Sequence, residues 1–196
     1  MKNQFHYSEA PTPAPIRIEQ VVAEVPGGGL LKDAGYDVVQ TTPVGRTSDG
    51  KYQVIKCAKV KTKYAGSGTT IEVEKGHGFA QGDFVMAGGV AKTISSINTG
   101  AADKDTITID AAMTGVTVEV GEFIYQAKAA AASDAEPVIK PMGIVDDGHF
   151  TAANGAVAFG GNGDTPVRII VAGTVRKETC MFGAEMEDLL KGIHRV

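Results

Sequence analysis

Along most of this chain apolar and polar residues alternate in short runs, and a glycine or aspartate breaks each run before it reaches helical length. Thr69-Thr70-Ile71-Glu72-Val73-Glu74 alternates strictly, and Phe79 to Met86, Lys92 to Ile97, Thr106 to Ile109 and Val116 to Val120 follow it. Strands at a spacing of roughly ten residues predict a small barrel or sandwich over residues 61–128. Upstream, short strands are predicted at Leu30-Leu31, Val38-Val39-Gln40 and Tyr52-Gln53-Val54-Ile55, with Ser48-Asp49-Gly50 as a hairpin turn. Downstream, the stretch Pro141 to Gly148 runs a short apolar segment into an Asp146-Asp147-Gly148 turn, and Val167 to Val175 is a β-branched strand. The pattern predicts a mostly β chain: residues 30–60 and 129–177 form one β domain, and residues 61–128 are a β module inserted into it.

The two ends read differently. Pro11, Pro13 and Pro15 stand at alternate positions and push their neighbours toward β or polyproline geometry, so residues 1–29 are expected to form an extended arm. Ile16-Arg17-Ile18-Glu19-Gln20 starts with strand alternation, while a short helix over Glu19 to Val25 competes with it. Either form needs a partner surface, in its own domain or on another subunit. Pro26-Gly27-Gly28-Gly29 marks a hinge-like boundary. Ala127 to Ala135 suits a helical turn or a closely packed small-residue strand. Within residues 178–196, Phe182 to Ile193 is the best helical candidate: Met186, Leu189, Leu190 and Ile193 recur at steps of three and four, acids fill the first turns, and Lys191-Gly192 marks the end.

Composition narrows the class. With 43% hydrophobic and 21% charged residues the chain is neither disordered nor a membrane protein, and 25 glycines against 8 prolines suit many short strands joined by turns. The net charge of -4 leaves no electrostatic footprint for nucleic acid. The nearest approach is Lys56 to Lys63, whose alternating lysines read as a solvated or edge-protecting strand face. Cys57 and Cys180 lack metal-ligand spacing and read as small buried hydrophobes of a protein made in a reducing cytoplasm. The N-terminus has no apolar secretion core, and no run approaches the ~20 apolar residues of a membrane span, so a soluble protein is expected.

Candidate chemistry is sparse. Gly76-x-Gly78 precedes Gly82 at the wrong spacing for a dinucleotide fingerprint, and Gly160-Gly161-Asn162-Gly163-Asp164 lacks the Lys and Ser/Thr of a phosphate loop. Asp146 and Asp147 are adjacent carboxylates, which a strand points to opposite faces. Asp103-Lys104-Asp105 begins like a calcium loop but lacks its glycine and closing glutamate. His6, His77, His149 and His194 are scattered, and His77 and His149 read as exposed loop histidines beside glycine. No Gly-x-Ser-x-Gly elbow occurs. Neither an enzyme nor a cofactor or metal site is expected.

Gly143-Ile144, with Asp146-Asp147, followed by Val167 to Val175 with Gly173, resembles the closing half of phage head decoration proteins, where a "GI-x-x-D" segment precedes a "V-x-V-x-x-x-G-x-V" strand. Pro26, Gly29 and Leu30 are similar to that family's "P-G-x-L" opening. Phe79 to Val85, Ile94 to Ile97 and Asp105 to Ile109 resemble the "F-x-x-G-D-x-V", "I-x-x-I" and "D-x-I-T-I" segments of small β modules in phage tail and fibre proteins. The resemblance implies a small β-barrel or β-clip-like decoration domain, a homotrimer, and a place on the outer capsid surface after synthesis in the host bacterial cytoplasm. The major capsid protein is then the partner. It implies an arm that orders on the capsid as an added strand, with Pro11, Pro13, Pro15, Ile16 and Ile18 as contact residues. A carbohydrate or host-surface binding module of a tail or fibre is the alternative, weakened by the absence of Trp.

Overall fold

The computed structural model describes residues 17–146, 156–157 and 164–196. Arg17 leads into β1 (Ile18–Glu24), a turn at Gly27-Gly28 reverses the chain, and β2 (Gly29–Leu31) returns. β3 (Val38–Val39), β4 (Pro43–Arg46) and β5 (Tyr52–Val54) follow. Next come β6 (Cys57–Lys59), β7 (Thr70–Val73), β8 (Phe84–Ala87), β9 (Val90–Asn98), β10 (Asp105–Ile109) and β11 (Phe123–Ala127). The chain finishes with β12 (Gly143–Asp146), β13 (Ala156–Val157), β14 (Thr165–Val175), α1 (Ala184–Leu190) and β15 (Ile193–Arg195). The class is mostly β with a small barrel and a short C-terminal helix.

The sheets are nested. β14, β12, β4, β5 and β2 pair in that order and β2 pairs back to β14, closing a 5-strand barrel. β14 is its seam: Thr165–Val167 pair with β2, Arg168–Ile170 with β12, and Ile170–Val175 with β1, while β15 lies parallel to Gly173–Val175. Leu31, Val44, Tyr52, Val54, Val145, Val167 and Ile169 fill the interior. The second sheet has 6 strands in the order β6-β11-β8-β9-β10-β7. It closes through a Val60–Val73 bridge, with the Lys61 N–H donating to Glu72 O and the Glu74 N–H to Lys59 O, both at 2.9 Å. Closure leaves neither barrel an open edge within its ring. Ile71, Val73, Ile94, Ile107, Ile109, Met113 and Ile124 fill this interior, and the Asp105-to-Ile109 alternation points every second residue into it.

A third core joins the two. Cys57, Met86, Phe123 and Tyr125 of the second barrel pack with Ile144, Ile170 and Val175 of the first and with Phe182, Met186, Leu190 and Ile193 of the C-terminal segment. The Tyr125 hydroxyl accepts the Gly183 N–H at 2.7 Å, fixing the entry to α1.

Several predicted elements change on folding. Val116 to Val120 is not a strand: glycines with positive φ at 115 and 121 bracket it, and Val118 makes only an isolated bridge with Tyr64. The predicted helix to Ile193 stops at Leu190, because Lys191 turns into the left-handed region (φ 53°) and Ile193 joins β14 as part of β15. Leu189 is consequently exposed, and only Met186 and Leu190 of the predicted stripe are buried helical residues. Residues 19–24 take the strand form, not the helical one. The alanine segment is not helical, and Ala131 bridges Ala91.

Candidate functional site

Gly143, Ile144 and Asp146 on β12 and Gly173 on β14 lie along the seam of the first barrel. Gly143 and Ile144 lie on β12 opposite Val44 and Pro43 of β4, and Ile144 pairs with Ile170 of β14 on its other side. A side chain at 143 would sit 2.5 Å from the Ile170 carbonyl oxygen, so the strand approach requires glycine. Gly173 meets the same condition against the Gln20 carbonyl of β1. β12 and β14 thus become adjacent antiparallel strands, with Ile144 opposite Ile170.

Asp146 is buried and accepts hydrogen bonds from Gln40 Nε2 at 2.8 Å and Arg168 Nη1 at 3.0 Å. Arg168 also pairs with Glu24, so Glu24, Arg168, Asp146 and Gln40 form a polar chain across β1, β14 and β12. This explains the carboxylate structurally: it ties the edge strand to the barrel. Asp147 lies outside the described residues.

Of the predicted arm contacts, Pro11, Pro13, Pro15 and Ile16 lie outside the described residues. Ile18 is half-buried on β1, pairs with Val175 and packs against the shared core. Arg17 Nη1 donates to the Thr179 carbonyl, anchoring the start of β1. β1 stands at the end of the first sheet's strand order, and Val22 on it is 68% exposed.

The lysine run is not a uniform solvated face. Lys56 pairs with Asp83 at 2.8 Å with both side chains largely covered, whereas Lys61 and Lys63 pair with Asp103 and Glu119 near the surface. Asp83 also accepts the Ala80 N–H at 2.9 Å, closing the turn before β8. Both cysteines are free and buried in the shared core, and burial pushes both thiols up, which keeps them protonated and unreactive.

His77 corrects the sequence reading. It is buried, at 7% exposure, beside an equally buried Asp105, while His194 is exposed. Gly-His-Gly carries no apolar pattern, and the buried acid beside His77 is brought near only by folding, so no local signal marks it. Among the described residues no group of three or more His, Cys, Asp or Glu is placed to hold a metal ion, and no helix is long and apolar enough to cross a membrane.

Comparison of the chain with protein families, with curated proteins and with solved structures finds no match.

Proposed function

We propose that this chain is a virion structural protein that binds the outer surface of a phage capsid, as a decoration or head fibre protein, and stabilises the shell as a homotrimer with the major capsid protein as its partner. The observation that carries this reading is the placement of β1: the N-terminal segment leads into a strand at the end of the sheet order of an otherwise ringed barrel. Such a strand offers main-chain groups for pairing with another chain, and Ile18 and Val21 facing inward fix its register while Val22 faces outward. Pro11, Pro13, Pro15 and Ile16 then supply the capsid contacts, and Ile18 serves as the anchor on the protein's own side. Gly143, Ile144 and Gly173 lie on the two strands of one seam, β12 and β14, and both glycines stand where a side chain would meet neighbouring backbone, which supports the family resemblance.

Mechanistically the work is mass action: a partner that binds only the expanded shell lowers that state's free energy, and trimerisation multiplies weak arm contacts. The test is light scattering of the full chain and of a variant lacking residues 1–16, each also sedimented with expanded shells assembled from the cognate capsid protein. The expected result is a trimer in both and shell binding only by the full chain. A monomer in both, or equal shell binding without the arm, overturns the proposal. Truncation must stop before Arg17, since β1 belongs to the barrel.

A further inference from the structure

His77 lies in the turn between β7 and β8, where the second barrel touches the first. Its Nδ1 accepts the Phe79 N–H at 3.0 Å, so the neutral ring carries its proton on Nε2. That Nε2 has no hydrogen-bond partner; Asp105 Oδ2 stands 3.4 Å away, outside good bonding geometry. The other Asp105 oxygen is held by Lys75 Nζ at 2.7 Å, and Lys75 also reaches the Thr99 carbonyl at 3.1 Å. Between His77 and Phe79 sits Gly78 (φ +69°), and the ring of Tyr36 occupies the space its side chain would need. Tyr36 comes from the loop between β2 and β3, so one glycine of this turn is the seat of a first-barrel aromatic ring.

We propose that His77 is an acid-operated latch at the joint between the two barrels: protonation exchanges its bond from the Phe79 N–H for an ion pair with Asp105 and loosens Tyr36 from Gly78. A proton on Nδ1 turns an acceptor into a donor that faces another donor, and that bond cannot survive. The ring then gains by turning toward Asp105, whose carboxylate is already within reach, which gives two discrete arrangements of one side chain. The charged groups that act on the ring are Asp105 from β10, Lys75 from the same turn and Lys56 just before β6, and Arg17, Lys59, Glu74 and Glu178 line the same cavity as His77. Burial disfavours the charged ring most strongly, Asp105 favours it, and Lys56 and Lys75 oppose it, leaving the pKa below its ordinary 6.5. A group whose folded value is depressed in this way stays neutral in the folded state to a lower pH than in the unfolded chain. Its stabilising contribution is complete above pH 6.5 and is lost as the pH falls toward and through the folded value.

The test is NMR of the full chain from about pH 7.5 to about pH 5, following the His77 imidazole, the Phe79 amide and the Tyr36 ring. Expected are a His77 midpoint below 6.5, a fall in Phe79 amide protection of roughly tenfold, the weight of one hydrogen bond, and a Tyr36 shift with the same midpoint. His77→Asn keeps an acceptor for the N–H two residues on and removes the titration, so its Tyr36 and Phe79 signals are expected to stay flat. A His77 midpoint at or above 6.5, a Tyr36 ring unmoved while His77 titrates, or the same transition in His77→Asn overturns the proposal. Should His77→Asn fail to fold, the matching of midpoints in the unaltered chain decides alone.

Discussion

At position 173 a methyl group would fall on the carbonyl oxygen of Gln20, which is backbone and cannot rotate away. Gly173→Ala must therefore separate β1 from β14 or break their register, and a loss of about 1–3 kcal/mol is expected from urea unfolding, in the range of overpacked sites. Gly82→Ala is the contrast. Its φ of +89° strains an alanine, yet nothing lies within 4 Å, so a cost of about 1–2 kcal/mol without loss of the β1 pairing is expected. Amide exchange along β1 separates the two, since only Gly173→Ala should expose it. In the sequence Gly173 stood out only through a resemblance, because a glycine at a strand crossing looks like any other glycine until the neighbouring backbone is placed. His77 and Tyr36 show the same limit: their contact depends on a missing side chain at Gly78 and on chain segments some forty residues apart, beyond the reach of any local pattern, which in helices and strands extends about one repeat.

At the scale of elements, legibility followed the number of buried faces. β7 and β10 each have one face in the second barrel's core and one toward solvent, so their period-two alternation survives in the sequence. β11 lies between two cores: Phe123, Tyr125 and Ala127 face the shared one and Ile124 faces the barrel interior, so Phe-Ile-Tyr-Gln-Ala shows no alternation and escaped prediction. β12 is split likewise between Ile144 and Val145. β4 contains Pro43 and Gly45, two strand-weakening residues that fit here because β12 and Lys140 pack closely against them. At the C-terminus the three-and-four spacing was real as far as Leu190, but Ile193 met the core from a strand instead of a helix. Ile193 is fully buried, and Ile193→Ala is expected to cost about 2–5 kcal/mol in urea unfolding, as for other buried large-to-small changes. If Ile193 merely extended a frayed helix end, the loss would stay below about 1 kcal/mol, the ordinary surface range.

For the whole molecule the question is whether two barrels mean two folding units. Each has its own interior, and an insertion whose ends, β6 and β11, pair with each other could in principle close independently. The shared core argues otherwise. Met86, Phe123 and Tyr125 from the second barrel supply the surface on which Phe182, Met186, Leu190 and Ile193 are buried, and those residues in turn hold the C-terminal strand against β14. Unfolding the second barrel would strip apolar cover from the seam of the first, and each large side chain uncovered there costs about 1.5–3 kcal/mol. That penalty couples the two transitions. Calorimetry at neutral pH is therefore expected to give one endotherm whose calorimetric and van't Hoff enthalpies agree. Two resolved transitions, or a van't Hoff enthalpy near half the calorimetric one, would mean that the joint through Tyr125 and Tyr36 is too weak to link the barrels. Tyr125→Ala is then the variant that weighs the coupling: in a linked molecule it removes the Gly183 bond and a core ring together, and it should split the single endotherm into two.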